Sequence, residues 1–129
     1  MKTILVSMLI LLSISAYSEK KVKLFNGKNL NNWDLFVNDN TTQPESVFTV
    51  EKGVIKVSGK PNGYLRTKEV YTNYELHVEW RWAAEPSNSG VLLHVNGFDF
   101  WPNCIEAQLM NSKAGDLVLI GYGTAATIA

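Results

Sequence analysis

Residues 74–82 read YELHVEWRW, in which Tyr74, Leu76, Val78, Trp80 and Trp82 alternate with Glu75, His77, Glu79 and Arg81. Strand residues alternate faces, so the pattern predicts a strand with one large apolar side and one wholly polar side. GVLLHV then places Val91, Leu93 and Val95 on one face and Leu92 and His94 on the other. CIEAQLM sets Ile105, Ala107 and Leu109 against Glu106 and Gln108, and DLVLI at residues 116–120 is the last readable strand. Upstream, residues 47–50 and 54–57 are β-branched segments joined across Lys52-Gly53. That is a tight hairpin whose glycine supplies the positive φ of the turn. Residues 38–46 form a polar loop containing Pro44, and Asn-Gly pairs at Asn26-Gly27, Asn62-Gly63 and Asn96-Gly97 mark further turns. No apolar pattern recurs at helical spacing after residue 18, and no internal repeat is present. Short strands separated by turns predict an all-β fold, a sandwich or a barrel.

The first 18 residues differ from the rest. Lys2 precedes an apolar run over residues 4–12, and Ala16 and Ser18 are small residues at the −3 and −1 positions of a cleavage site. This is the pattern of a secretory signal peptide, read as a helix over residues 1–18 that is removed after Ser18. A retained anchor is the rival, but the run is shorter than the ~20 apolar residues that span a bilayer. The expected mature domain is therefore residues 19–129, exported to the periplasm or the extracellular space, with no membrane attachment after cleavage.

Losing Lys2 leaves one basic residue fewer than the 12 Lys and Arg of the whole chain, against 12 Asp and Glu. A near-neutral balance offers no footprint for nucleic acid or an anionic surface. Cys104 is the sole cysteine, which excludes an intrachain disulfide and reads as a small buried apolar residue.

If the three strands after residue 73 are neighbours, their polar faces gather Glu79, Arg81, His94, Glu106 and Gln108 on one surface. With ~7 Å between alternate residues and ~4.8 Å between strands, that patch is the size of a sugar. The plain alternative is the wetted face that antiparallel sheets commonly carry. Two carboxylates, an Arg, a His and a Gln are an unusual mixture for such a face. His94 suits a general base, a metal ligand or a satisfied polar residue alike, and His77 reads as surface. Glu79, His94 and Glu106 are the donor types for a divalent ion, although no spaced ligand motif supports a metal and no other cofactor is indicated. Trp101, in the loop FDFWPN, is placed to stack on a sugar or to pack at the rim.

LFNGKNLNNW, GYLRT followed by VYTNYELHVEWRW, NSGVLLHV and WPNCIEAQLMNSKAGDLVLIG together resemble the exported bacterial 3-keto-disaccharide hydrolase family, over residues 24–121. The resemblance implies a concanavalin-like sandwich, two curved antiparallel sheets with a concave face that takes a carbohydrate. It implies functional roles for Glu79, Arg81, Asn88, Ser89, His94, Glu106 and Gln108. Domains of that family continue with several more strands, whereas this sequence closes on residues 123–129, GTAATIA. The expectation is thus a partial sandwich whose open sheet edges invite oligomers. The implied substrate carries a ketone at C3, which acidifies the C2 hydrogen. Glu106 or His94 is then the candidate base, Arg81 the stabiliser of the enolate oxygen, and Glu79 the acid or the support of Arg81, with Gln108, Asn88, Ser89 and Trp101 binding substrate. Two alternatives stay open at this level. One is a two-carboxylate glycosidase, decided by the separation of Glu79 and Glu106. The other is a non-catalytic carbohydrate-binding module or an inactive fragment on the same fold.

Overall fold

The computed structural model describes residues 20–97 and 101–121, together with the backbone of residues 127–128. The signal peptide expected over residues 1–18 lies outside the described residues. Eight strands and one helical turn follow in the order β1 (Trp33–Val37), α1 (Pro44–Val47), β2 (Phe48–Glu51), β3 (Val54–Val57), β4 (Gly63–Thr67), β5 (Gly90–Asn96), β6 (Asn103–Gln108), β7 (Leu117–Ile120) and β8 (Thr127–Ile128). The strands pair as β1-β4, β2-β3 and β5-β6-β7-β8, and every pairing is antiparallel. The fold is all-β, built from the antiparallel sheets of a sandwich, as the alternation predicts. No helix among the described residues is long and apolar enough to cross a membrane.

Local chemistry accounts for most of these elements. Lys52 and Gly53 have φ of 50° and 77°, the two positive values of a type I′ turn, and they set Glu51 opposite Val54. Asn26 Oδ1 accepts hydrogen bonds from the amides of Lys28 and Asn29, at 2.8 and 2.9 Å, which closes the first Asn-Gly turn. Pro44 starts α1, where a missing N–H costs nothing, so Val47 ends a helical turn instead of opening the strand. The Asn62-Gly63 pair behaves differently from the turn it predicts. Gly63 opens β4 opposite Val37, and a Cβ there would overlap the Phe36 carbonyl oxygen, so close backbone approach is what demands glycine.

The largest departure is the segment at residues 74–82. Its alternation persists, because Tyr74, Leu76 and Val78 line one cavity of about 390 Å³ with Val91, Leu93 and Ala107. A strand also needs a partner ladder, and the segment has none: no backbone–backbone hydrogen bond among the described residues falls between Glu69 and Pro86. Side-chain pattern reports which face is apolar; it does not report what supplies the hydrogen bonds.

The described core is small. Val47, Phe48, Tyr64, Pro102 and Cys104 are buried, and the Phe36 and Tyr64 rings stack across β1 and β4 with centroids 4.8 Å apart. Arg66 of β4 lies over Phe36, bonds Asp34 at 3.0 Å, and reaches the Gly97 carbonyl beyond β5 at 3.5 Å. This half-buried pair ties the β1-β4 sheet to the sheet that carries Glu106.

Candidate active site

Antiparallel register decides which side chains share a face. Leu92 of β5, Glu106 of β6 and Val118 of β7 stand directly opposite one another, as do Gly90 and Gln108, and Cys104 and Ile120. These residues therefore occupy one face of the sheet. Val91, Ala107 and Leu117, with Leu93, Ile105 and Leu119, occupy the reverse. Glu106 thus sits between two aliphatic neighbours and next to buried Cys104. That surrounding is poor at solvating a charge, and burial pushes the Glu106 carboxyl above the usual carboxylate range. Burial also pushes the Cys104 thiol up, and the charge of Glu106 adds to the effect.

The space for this carboxylate comes from Gly90. A Cβ on residue 90 would overlap the Glu106 carboxyl group and its Cγ, so the absent side chain is what lets the acid lie across β5. Gln108, two residues further along β6, is buried, and its Oε1 accepts the Met110 amide at 2.8 Å. Its backbone bonds the turn before β7, donating to the Asp116 carbonyl and accepting from the Gly115 amide. Gln108 is accordingly held in one orientation beside Glu106. Asn88 and Ser89 are exposed, just before Gly90, and the Ser89 carbonyl accepts the Leu109 amide at 2.8 Å. That bond extends the β5-β6 ladder and keeps both side chains at the Gln108 end of the site.

The other expected members are elsewhere. His94 does not join the Glu106 face, because β5 carries one extra residue between Leu93 and Asn96, a bulge at which His94 takes φ of 51°. Alternation is broken at that point, and His94 lies on the reverse side of the sheet, exposed, with its ring 5.7 Å from that of Tyr74. Glu79 and Arg81 lie on the segment that has no ladder, and both are exposed. Glu79 bonds His77 at 3.1 Å, with both side chains more than four-fifths exposed, so the pair is a surface contact. The predicted convergence of Glu79, Arg81, His94, Glu106 and Gln108 is therefore not formed; Glu106 and Gln108 come together, and Asn88 and Ser89 border them. No three His, Cys, Asp or Glu side chains among the described residues group closely enough to hold a metal ion, so Glu79, His94 and Glu106 do not make the divalent site their types suggest. Trp101 is exposed, with φ of 59°, directly before buried Pro102 at the start of β6.

A profile of the 3-keto-α-glucoside-1,2-lyase-like domain matches residues 20–127. The chain belongs to this family. No curated protein and no solved structure matches it. The name of the lyase-like family implies a carbohydrate substrate.

Two features of the lyase-like domain were not foreseen from its sequence. One is the partnership of Gly90 with Glu106, signalled by a glycine opening an otherwise apolar strand. The other is the Asp34–Arg66 pair, which nothing in the local pattern announced. A groove of about 810 Å³ runs along β1 past Trp33, Asp34, Phe48 and Lys68. It contains none of the candidate residues.

Proposed function

We propose that this protein cleaves 3-keto-glycosides by elimination, with Glu106 as the base that takes the C2 proton. The observation that carries the reading is the environment of Glu106, a single carboxylate set among Leu92, Val118 and Cys104 and raised in pKa by burial. A base is most effective when its pKa approaches the working pH, and burial moves an ordinary carboxylate in that direction.

The step balances as follows. Glu106 removes the hydrogen on C2, the electron pair of that bond forms the C1–C2 double bond through the C3 enolate, and the bond from C1 to the aglycone oxygen breaks. The departing aglycone oxygen takes a proton from solvent water, while Glu106 keeps the C2 proton until hydration returns one to C2. Water added across the double bond returns the 3-keto sugar, so elimination and hydration together amount to hydrolysis. The Gln108 amide nitrogen makes none of the hydrogen bonds found among the described residues, and with Asn88 and Ser89 it is placed to bind sugar hydroxyls or the C3 oxygen. Among the described residues of β5, β6 and β7, Glu106 is the one carboxylate on this face, which favours elimination over a mechanism needing a pair of carboxylates flanking the glycosidic bond.

The test is a matched pair of substrates, a 3-keto-glucoside and its unoxidised parent. Without the ketone the C2 hydrogen is not acidic and elimination has no entry point. Turnover of the keto form alone is expected. Equal turnover of both would replace this reading with a conventional glycosidase, and binding of both without turnover would leave a carbohydrate-binding module.

A further inference from the structure

We propose that Gln108 is the hydrogen-bond donor that holds the C3 oxygen of the substrate as it becomes an enolate, a catalytic residue fixed in its donating orientation by the Met110 amide. The inference rests on the elimination reading and names the electrophilic group that such a reaction requires beside its base.

Register brings the two groups together. On β5 the residue opposite Glu106 is Leu92, and the residue opposite Gln108 is Gly90. The Glu106 carboxyl group nevertheless fills the space in which a Cβ on Gly90 would stand. The acid therefore leans one pair along the ladder, toward Gln108, into the room that the bare glycine leaves. Residues two apart on a strand have backbones about 7 Å apart. A hydrogen on C2 and an oxygen on the adjacent C3, each met at a contact of about 3 Å, fill a span of that size.

The Met110 bond decides what Gln108 offers. An amide side chain has one end that accepts and one that donates. Oε1 is committed to the Met110 amide at 2.8 Å, and turning the group over would set two donors against each other. The residue is also buried, and its backbone is bonded to Gly115 and Asp116 on the far side. Nε2, which can only donate, is thus the end available to a ligand. A ketone oxygen and an enolate oxygen can only accept, so a fixed donor matches both. Asn88 and Ser89, which are exposed and able to donate or accept, suit sugar hydroxyls.

As Glu106 takes the C2 hydrogen, the electron pair of that bond forms C2=C3, and the C3 oxygen becomes an enolate bound by the Gln108 N–H. The pair then returns, which restores the ketone and forms C1=C2 as the aglycone oxygen leaves C1. Gln108 keeps its protons throughout. A donor aimed at the atom where charge develops acts most strongly in the transition state.

Two variants separate this role from a structural one. Gln108→Glu keeps an oxygen for the Met110 amide and loses the donor, whereas Gln108→Met loses both. Each is expected to lower kcat on a 3-keto-glucoside by about 10²-fold or more, the effect of removing one donor to an oxyanion, with a smaller change in KM. Near-normal kcat in Gln108→Glu together with failure of Gln108→Met would show that the residue only supports the turn before β7, and would overturn the proposal. A second readout needs no turnover. The carbonyl stretch of 3-keto-1,5-anhydroglucitol, which has no aglycone to lose, should lie at lower wavenumber on the parent protein than on either variant. An identical stretch on all three, or no binding to the parent protein, would overturn the proposal as well. Equal turnover of keto and unoxidised glucosides by the parent protein would instead remove the elimination reading itself.

Discussion

Glu106→Gln is expected to lower turnover of a 3-keto-glucoside by about 10²-fold or more, the scale on which a positioned general base contributes. Gln keeps the shape of the side chain over Gly90 and removes only its capacity to accept a proton. The acidic limb of the pH–rate profile should vanish with it, because the parent rate rises as Glu106 ionises and that ionisation lies above the ordinary carboxylate range. Stability should change in the opposite direction. A folded-state pKa raised by burial means that the neutral carboxyl is the favoured guest. Its contribution is fully present below the unfolded carboxyl value, roughly 4.3, and is lost as pH rises through the raised folded value. The uncharged amide carries no such loss. The thermal midpoint of Glu106→Gln relative to the parent protein should therefore climb between acid and neutral pH. A difference that is the same at both pH values would show that folding does not raise the Glu106 pKa, a greater loss at neutral pH would show that the ionised carboxylate is held by favourable contacts, and in either case the base assignment would lose its support.

Gly90→Ala is expected to cost on the order of 10²-fold in turnover, the effect of misplacing a reacting group by about 1 Å. The added methyl overlaps the Glu106 carboxyl group, and the side chain has to leave its place across β5 to admit it. Gly90 itself has an ordinary strand conformation, so the change does not force a disfavoured backbone. The loss should appear in kcat with circular dichroism unchanged. Full activity in Gly90→Ala would mean that the carboxyl does not work from the position it occupies here.

The parts of the fold that were legible in the sequence are those governed by local rules. Alternation placed Val91 and Leu93 on the same face as Ile105 and Ala107, and Lys52-Gly53 gave the β2-β3 turn, because both depend only on neighbouring residues. Strands β1 and β4 were not read from the pattern. WDLFV is half-buried along its whole length, GYLRT likewise except for buried Tyr64, and their mixed apolar and charged positions do not alternate cleanly. The site was legible only in part, for a related reason. Placing His94 beside Glu106 assumed an unbroken strand, and one extra residue in β5 reversed its side. Bringing Glu79 and Arg81 to the sheet assumed a ladder for residues 74–82, and hydrogen-bond partners at long range are invisible to residue periodicity. Glu106 and Gln108 survived because they lie two apart on one regular strand. The raised pKa of Glu106 was not legible, since it arises from Leu92 and Val118 on two other strands.

Elimination makes one demand that displacement at C1 does not, the breaking of the C2–H bond. The most direct measurement is turnover of a 3-keto-glucoside carrying deuterium at C2, compared with its protium form. Slower turnover of the deuterated substrate, with loss of the label from C2 of the released sugar faster than from enzyme-free controls, is the expected result. Equal rates with the deuterium retained at C2 would contradict proton abstraction and with it the role given to Glu106.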